Sequence, residues 1–315
     1  MEKKYELTDE TMELIKEDGS KVTLYRIKAL KDFDFINKGD LGGWVESEEN
    51  LSQEGNCWIY GNAKVCGNAK VYGNAKVYGN AEVCGNATIS DNATISDNAI
   101  IFGNGVVCDD AKVYNNAKVY GNSMVLDNVV VSSNANIFGN CCVHDYARVF
   151  GNSLLSDDSN IYNNAIVKDS KVSGSSKIAE NSIVENSEID YSHISGQVYN
   201  AKIKNAIVLS TTSINGYKDI VPVIDDNRKF MTIGLINYTT EVGTILTCLT
   251  AYYYDENIYY SFCIGKAHFC FKDKDELKDY LKNKLVYEID NILQIAESLK
   301  NLLNQKRIKE NPNDK

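Results

Sequence analysis

The sequence predicts an all-β solenoid over residues 41–215, entered through a short β cap at 1–40 and followed by an α+β domain at 216–315. Three observations carry that reading. Every sixth residue from Ile59 to Val167 is Val, Ile or Leu. As far as Ile161, the fourth place after each of these holds a compact residue, usually Ala, and the third holds Asn, with Asp110, Tyr146 and Asp158 as exceptions. Beyond residue 215 the repeat stops, and β-branched and aromatic runs replace it.

The first 40 residues hold two strand-like runs, "KYELT" and "KVTLYRIKAL", separated by Asp18-Gly19. A solenoid's open end exposes core and unpaired strand edges, so these runs are expected to cap it. The stretch "DLGGWVESEENLSQEGNCW" then supplies Val45 and Leu51 before an eight-residue step to Ile59, which marks an irregular first coil. Its glycines lack the spacing of a dinucleotide-binding loop and read as a turn.

The repeat itself, as in "GNAKVYGNAKVYGNA", cannot be helical, because a helix turning every 3.6 residues spreads a six-residue stripe around its surface. Strand alternation does fit. In Ala69-Lys70-Val71-Tyr72 the small and aliphatic residues face inward, and the lysine and tyrosine face outward. Gly73-Asn74 then turns the chain, since glycine adopts positive φ freely and asparagine more readily than most. Towards the end the steps mix fives and sixes (Val172, Ile178, Val184, Ile189, Ile194), which is expected to distort the corners.

An aliphatic residue at the first place of each hexad and a small one at the fifth resembles the hexapeptide-repeat proteins. That resemblance implies a left-handed, triangular parallel β-helix with three hexads per coil. Over residues 41–215 it implies about nine coils and a length on the order of 40 Å from the inter-strand spacing. The opening "YRIKALKDF" with "KGDLGGWVESEENLSQEGNCWIYGNA" is similar to hexapeptide-repeat proteins carried by bacteriophages and prophages, some called polymer-forming.

In the last hundred residues, "RKFMTIGLINY", "GTILTCLTAYYY" and "NIYYSFCIGKAHFCF" read as strands. Asp273 with Glu276 reads as a helix start. A long helix is expected to follow, with Leu285, Ile289, Ile292, Ala296, Leu299 and Leu303 as its packing stripe.

The chain has 315 residues and a formal net charge of −10. Much of the acidic excess lies in residues 1–58, with 14 acidic against 8 basic side chains. No basic stripe exists to meet phosphates, which argues against nucleic-acid binding. No apolar run approaches the ~18 residues of a membrane span, and no signal-peptide core is present. The nine cysteines are odd in number and show no CxxC spacing. They read as reduced thiols in a bacterial cytoplasm, with Cys66 and Cys84, stacked on neighbouring coils, read as two free thiols.

With three hexads per coil, the outward residues sort onto three faces. Val106, Cys108, Met124, Leu126 and Cys142 stack on one face as an apolar patch, and Phe102, Tyr120 and Phe138 form a ladder on another. Such a surface reads as an oligomer interface, and the resemblance favours a homotrimer. Hexapeptide-repeat proteins are familiar as acyltransferases with a histidine base at a subunit boundary. His144, outward beside Cys142 and Leu126, is the candidate base here, while His193 and His268 read as having no role. Lys218, Arg228 and Lys229 form a candidate anion site. No metal or cofactor is implied. The functional reading from sequence is a non-enzymatic, phage- or prophage-type β-helix scaffold presenting its C-terminal domain to a host or phage partner, including a host defence component. The alternatives are an acyltransferase using His144 and a virion fibre or filament.

Overall fold

The computed structural model describes residues 2–15 and 19–199, and beyond them the strands and helical positions between 202 and 301 named below. It is a parallel β-solenoid of about nine turns, the fold class that the six-residue period predicts. The chain divides into two compact units, Met1–Asp169 and Ser170–Lys315.

In the first unit, β1 (Tyr5–Ile15) pairs antiparallel with β2 (Lys21–Ala29), which pairs antiparallel with β3 (Leu41–Val45). The strand β3 then runs parallel to Lys64–Val65 and so joins the hairpin to the coils. Lys4 and Tyr5 fix the hairpin to the first coil. The Lys4 ammonium donates to the carbonyls of Glu54, Gly55 and Cys57 at 3.0–3.3 Å, and the Tyr5 hydroxyl donates to that of Leu51 at 2.7 Å and lies 2.9 Å from that of Glu48. Lys4 is completely buried, and that burial lowers its pKa. A buried ammonium is tolerated only when its donors are met, and here three carbonyls meet them.

From Trp58–Ile59 to Ile166–Lys168 each hexad contributes one strand of two or three residues. Up to Arg148–Phe150, each pairs in parallel with the strand eighteen residues later, as Lys112 with Val130 and Val113 with Val131. The chain therefore closes a coil every three hexads and builds three sheets. The aliphatic residues at the six-residue step are buried, and so are the small residues that alternate with them.

Each corner has positive φ at its first residue. Gly67 (φ 66°) and Gly73 (φ 69°) take that place in the early coils, and Asp109 (φ 57°), Asp127 (φ 54°) and Asp145 (φ 62°) take it later. The asparagine that follows has a different task. Its side-chain amide donates to the asparagine one coil on, as from Asn86 to Asn104 to Asn122 to Asn140 at 2.8–2.9 Å. Such ladders satisfy polar edges along a stack of parallel coils.

Cys66 and Cys84 correct the sequence reading. Their sulfurs are bonded, with Cα atoms 4.7 Å apart. The eighteen-residue register sets the two side chains directly over one another, within disulfide reach. Cys66 is also fully buried, although it lies on an outward face, because Leu24 of β2 and Trp44 of β3 pack over it.

In the second unit the coils shorten. Val172 pairs with Ile189, Ile178 with Ile194 and Val184 with Val198, separations of 17, 16 and 14 residues. The five-residue steps therefore narrow the coil while keeping the aliphatic residues buried. Strand Ala206–Val208 pairs in parallel with Met231–Thr240, which opens an antiparallel run through Gly243–Tyr254, Asn257–Ile264 and Ala267–Phe271. Helix α1 (Lys274–Asn283) follows, with Asp273 Oδ1 accepting from the backbone N–H groups of Asp275 and Glu276 at 2.9 Å. Its buried residues are Leu277 and Leu281. Of the expected stripe, Ala296 is helical and buried, and Leu285, Ile289, Ile292, Leu299 and Leu303 lie outside the described residues. No helix among the described residues is long and apolar enough to cross a membrane.

Candidate functional site

The second face of the first unit gathers the outward residues singled out above. Val106, Met124 and Cys142 stand in register on successive coils. Cys108, Leu126 and His144 stack beside them, each at the end of its strand, held by backbone N–H bonds to Val125, Val143 and Ile161 at 2.9–3.1 Å. Met124 is 40% exposed, and the others are half-buried. On the neighbouring face the Phe102 and Tyr120 rings stack at 4.6 Å, and Tyr120 and Phe138 at 5.2 Å. This ladder is half-buried through its own stacking, as cross-strand aromatic pairs are.

His144 lies where this face meets a corner. Its ring stacks on Tyr162 one coil on, with centroids 5.3 Å apart and planes nearly parallel. Its Nδ1 lies 3.2 Å from Asp145 Oδ2. The Asp145 carboxylate is itself held, because Oδ2 accepts from the backbone N–H of Asn163 at 2.8 Å and from its side-chain amide at 3.3 Å. One coil back, Asp127 Oδ2 accepts from the Asp145 N–H at 3.0 Å, and Asp109 Oδ2 accepts from the Asp127 N–H at 3.1 Å. The corner is thus a ladder of aspartates, each fixed by the backbone of the next coil.

The thiols of this region are held neutral. Burial, then the hydrogen bond to Asp109 at 3.2 Å, pushes the Cys108 thiol up to about 12. Burial, then the charge of Asp127, raises Cys142. Cys141 points inward, donates to the Phe138 carbonyl at 2.9 Å and is raised by burial. A protonated thiol is a poor nucleophile, so these cysteines are ill-suited to covalent catalysis. His144 is the group suited to proton transfer. Tyr162 lies against its ring plane and Asp145 lies at Nδ1, the side on which a carboxylate orients an imidazole that works through Nε2.

The hexad positions place His144 beside Cys142 and Leu126 and put Tyr162 on the same face one coil on, but they do not assign Asp145 and Asp127 to its surroundings. A signal for both is present, since Asp145 is the next residue and Asp127 stands one eighteen-residue step before Asp145. Of the other histidines, His193 is exposed, with Ser195 Oγ 3.5 Å from its Nε2, and His268 lies in strand Ala267–Phe271. Lys218, Arg228 and Lys229 lie outside the described residues.

No family model matches the chain. Over 61 residues the chain is 46% identical to a protein of Escherichia coli K12 described as the uncharacterized acetyltransferase YdcK. The match takes in 18% of this chain and 19% of that relative, so the chain spans about a fifth of the relative's length. Among solved structures, the crystal structure of a candidate acetyltransferase from Desulfovibrio desulfuricans G20 is 9% identical, covering 50% of this chain and 57% of its own, with a TM-score of 0.23.

Proposed function

We propose that the chain is an acyltransferase that moves an acyl group from a thioester donor of the acyl-CoA kind to an amine or hydroxyl acceptor, with His144 as general base. The observation that carries this reading is the His144 ring, set on an outward apolar face with Asp145 at Nδ1 and Tyr162 against its plane. The 61-residue likeness to a protein described as an acetyltransferase supports acyl transfer over the scaffold reading drawn from the repeats. In the reaction, Nε2 takes the acceptor's proton as the acceptor attacks the thioester carbonyl. The carbon–sulfur bond breaks, and the proton passes to the departing thiolate. Asp145 stabilises the imidazolium formed in between.

The face beside His144 carries Val106, Met124, Leu126 and Cys142. We propose it as the contact between copies of the chain, with a trimer favoured. Calorimetry of the full chain with acetyl-CoA, followed by thiol release with a panel of amine and hydroxyl acceptors, tests the acyltransferase reading. Binding is expected, with release falling at least about a hundredfold in His144→Ala. Failure of every acyl-CoA to bind removes the reading.

A further inference from the structure

The corner that carries His144 repeats one arrangement two coils apart. At the first place are Asp91, Cys108 and Asp109, and at the second are Asp127, His144 and Asp145. In each set the three possible ligand atoms lie within 4.8 Å of one another. A first-row divalent cation binds nitrogen and oxygen donors at about 2.0–2.2 Å, so three donors this close converge on one ion after small side-chain rotations.

We propose that Asp127, His144 and Asp145 form a binding site for a borderline divalent cation of the zinc, cobalt or nickel class. Both carboxylates are anchored through Oδ2 to the backbone of the next coil, Asp127 to the Asp145 N–H and Asp145 to that of Asn163. These backbone bonds fix the orientation of both carboxylates, and a carboxylate has acceptor capacity to spare for a cation while it accepts an N–H. Tyr162 holds the imidazole plane from the other side. The donor set contains two carboxylates and an imidazole, so a bound dication is fully neutralised. The nitrogen selects against magnesium and calcium, which prefer oxygen alone.

The companion set is the weaker one for a chemical reason. Cys108 must lose its proton to ligate, whereas a neutral imidazole ligates as it is. The Cys108 thiol is held protonated by burial and by Asp109. Metal at the His144 set takes Nδ1, which puts the remaining proton on Nε2. A bound cation and proton uptake at Nε2 therefore exclude one another, and metal occupancy is an off-state for that nitrogen.

The test uses tag-free, chelator-treated full chain, titrated with Co²⁺ near neutral pH with no acyl donor present. It therefore succeeds or fails independently of acyl transfer. Visible absorption and equilibrium dialysis should report one Co²⁺ at this site. Affinity should fall at least about tenfold in Asp127→Asn, whose amide oxygen still accepts the Asp145 N–H, and should hold in Cys108→Ser. In the unaltered chain, Zn²⁺ should shift the imidazole proton signals of one of the three histidines and not the others. This keeps the test open if a variant fails to fold. Absence of saturable binding, full affinity in Asp127→Asn, loss of affinity in Cys108→Ser, or unmoved imidazole signals overturns the proposal.

Discussion

Two serines on the inner wall make opposite predictions from one rule. Ser123 and Ser153 are both completely buried at places that alanine fills in most hexads. Ser153 Oγ donates to the Phe150 carbonyl at 2.7 Å and lies 3.3 Å from that of Val167. Ser123 Oγ has no hydrogen-bond partner among the described residues. A buried hydroxyl left unpaired carries a desolvation penalty of about 1–3 kcal/mol, and a made hydrogen bond contributes about 1 kcal/mol net. Ser123→Ala should therefore stabilise the chain by about 1 kcal/mol, and Ser153→Ala should destabilise it by about the same amount. With a urea m-value of about 3 kcal/mol/M, the midpoints move by roughly 0.3 M in opposite directions with m unchanged. Equilibrium unfolding followed by circular dichroism reads both. A Ser123→Ala midpoint as low as that of Ser153→Ala would refute the reasoning, because it would mean that the Ser123 hydroxyl is bonded.

Three further outcomes follow from the corner and face geometry. Gly103→Ala should be more destabilising than Gly61→Ala in the same unfolding assay. Both glycines have positive φ, but an added Cβ at Gly103 meets Gly121 backbone atoms at 3.1 Å, while at Gly61 its nearest neighbour is 3.9 Å away; the φ strain common to both is about 1–2 kcal/mol. The double variant Met124→Lys/Leu126→Lys should sediment as a soluble monomer if the face joins copies of the chain, and an unchanged mass would remove that interface. Cys108, with its thiol pushed up to about 12, is only about one part in 10⁴ thiolate at a pH of about 8, against roughly a quarter for an ordinary thiol. Its alkylation should be about a thousandfold slower and should climb as pH rises towards that value. Asp109→Asn should speed it, and labelling at the ordinary rate in the unaltered chain would contradict the burial argument.

The inner wall was legible because it is a one-residue rule repeated. An aliphatic side chain every sixth place, alternating with a small one, has no solution but a strand with a fixed inward face. The corners were half legible. Glycine announces positive φ at Gly67 and Gly73, but the same conformation at Asp127 and Asp145 hides in a residue more familiar as a solvated charge. His144 could be placed on its face from its position in the hexad. Its partners needed the winding as well: Asp145 is adjacent in sequence, but Asp127, seventeen residues away, comes close only because it stands one eighteen-residue coil before Asp145. The disulfide between Cys66 and Cys84 was misread for a similar reason. Spacing puts the two side chains in line, but nothing in the repeat says that β2 and β3 bury one of them. The C-terminal strands and the start of α1 followed from β-branched runs and from Asp273.

His144, Asp145 and Asp127 meet only because the chain closes a coil every eighteen residues, so the sharpest test is of that winding. In the double variant Lys112→Cys/Val130→Cys the two sites pair directly across neighbouring coils, as Cys66 and Cys84 do. Mild oxidation and mass spectrometry of the linked peptides should find a 112–130 disulfide, and none in Lys112→Cys/Lys118→Cys, whose sites are one hexad apart. A 112–118 link, or no link at 112–130, would mean a different number of sides and would dissolve the site together with both proposals built on it.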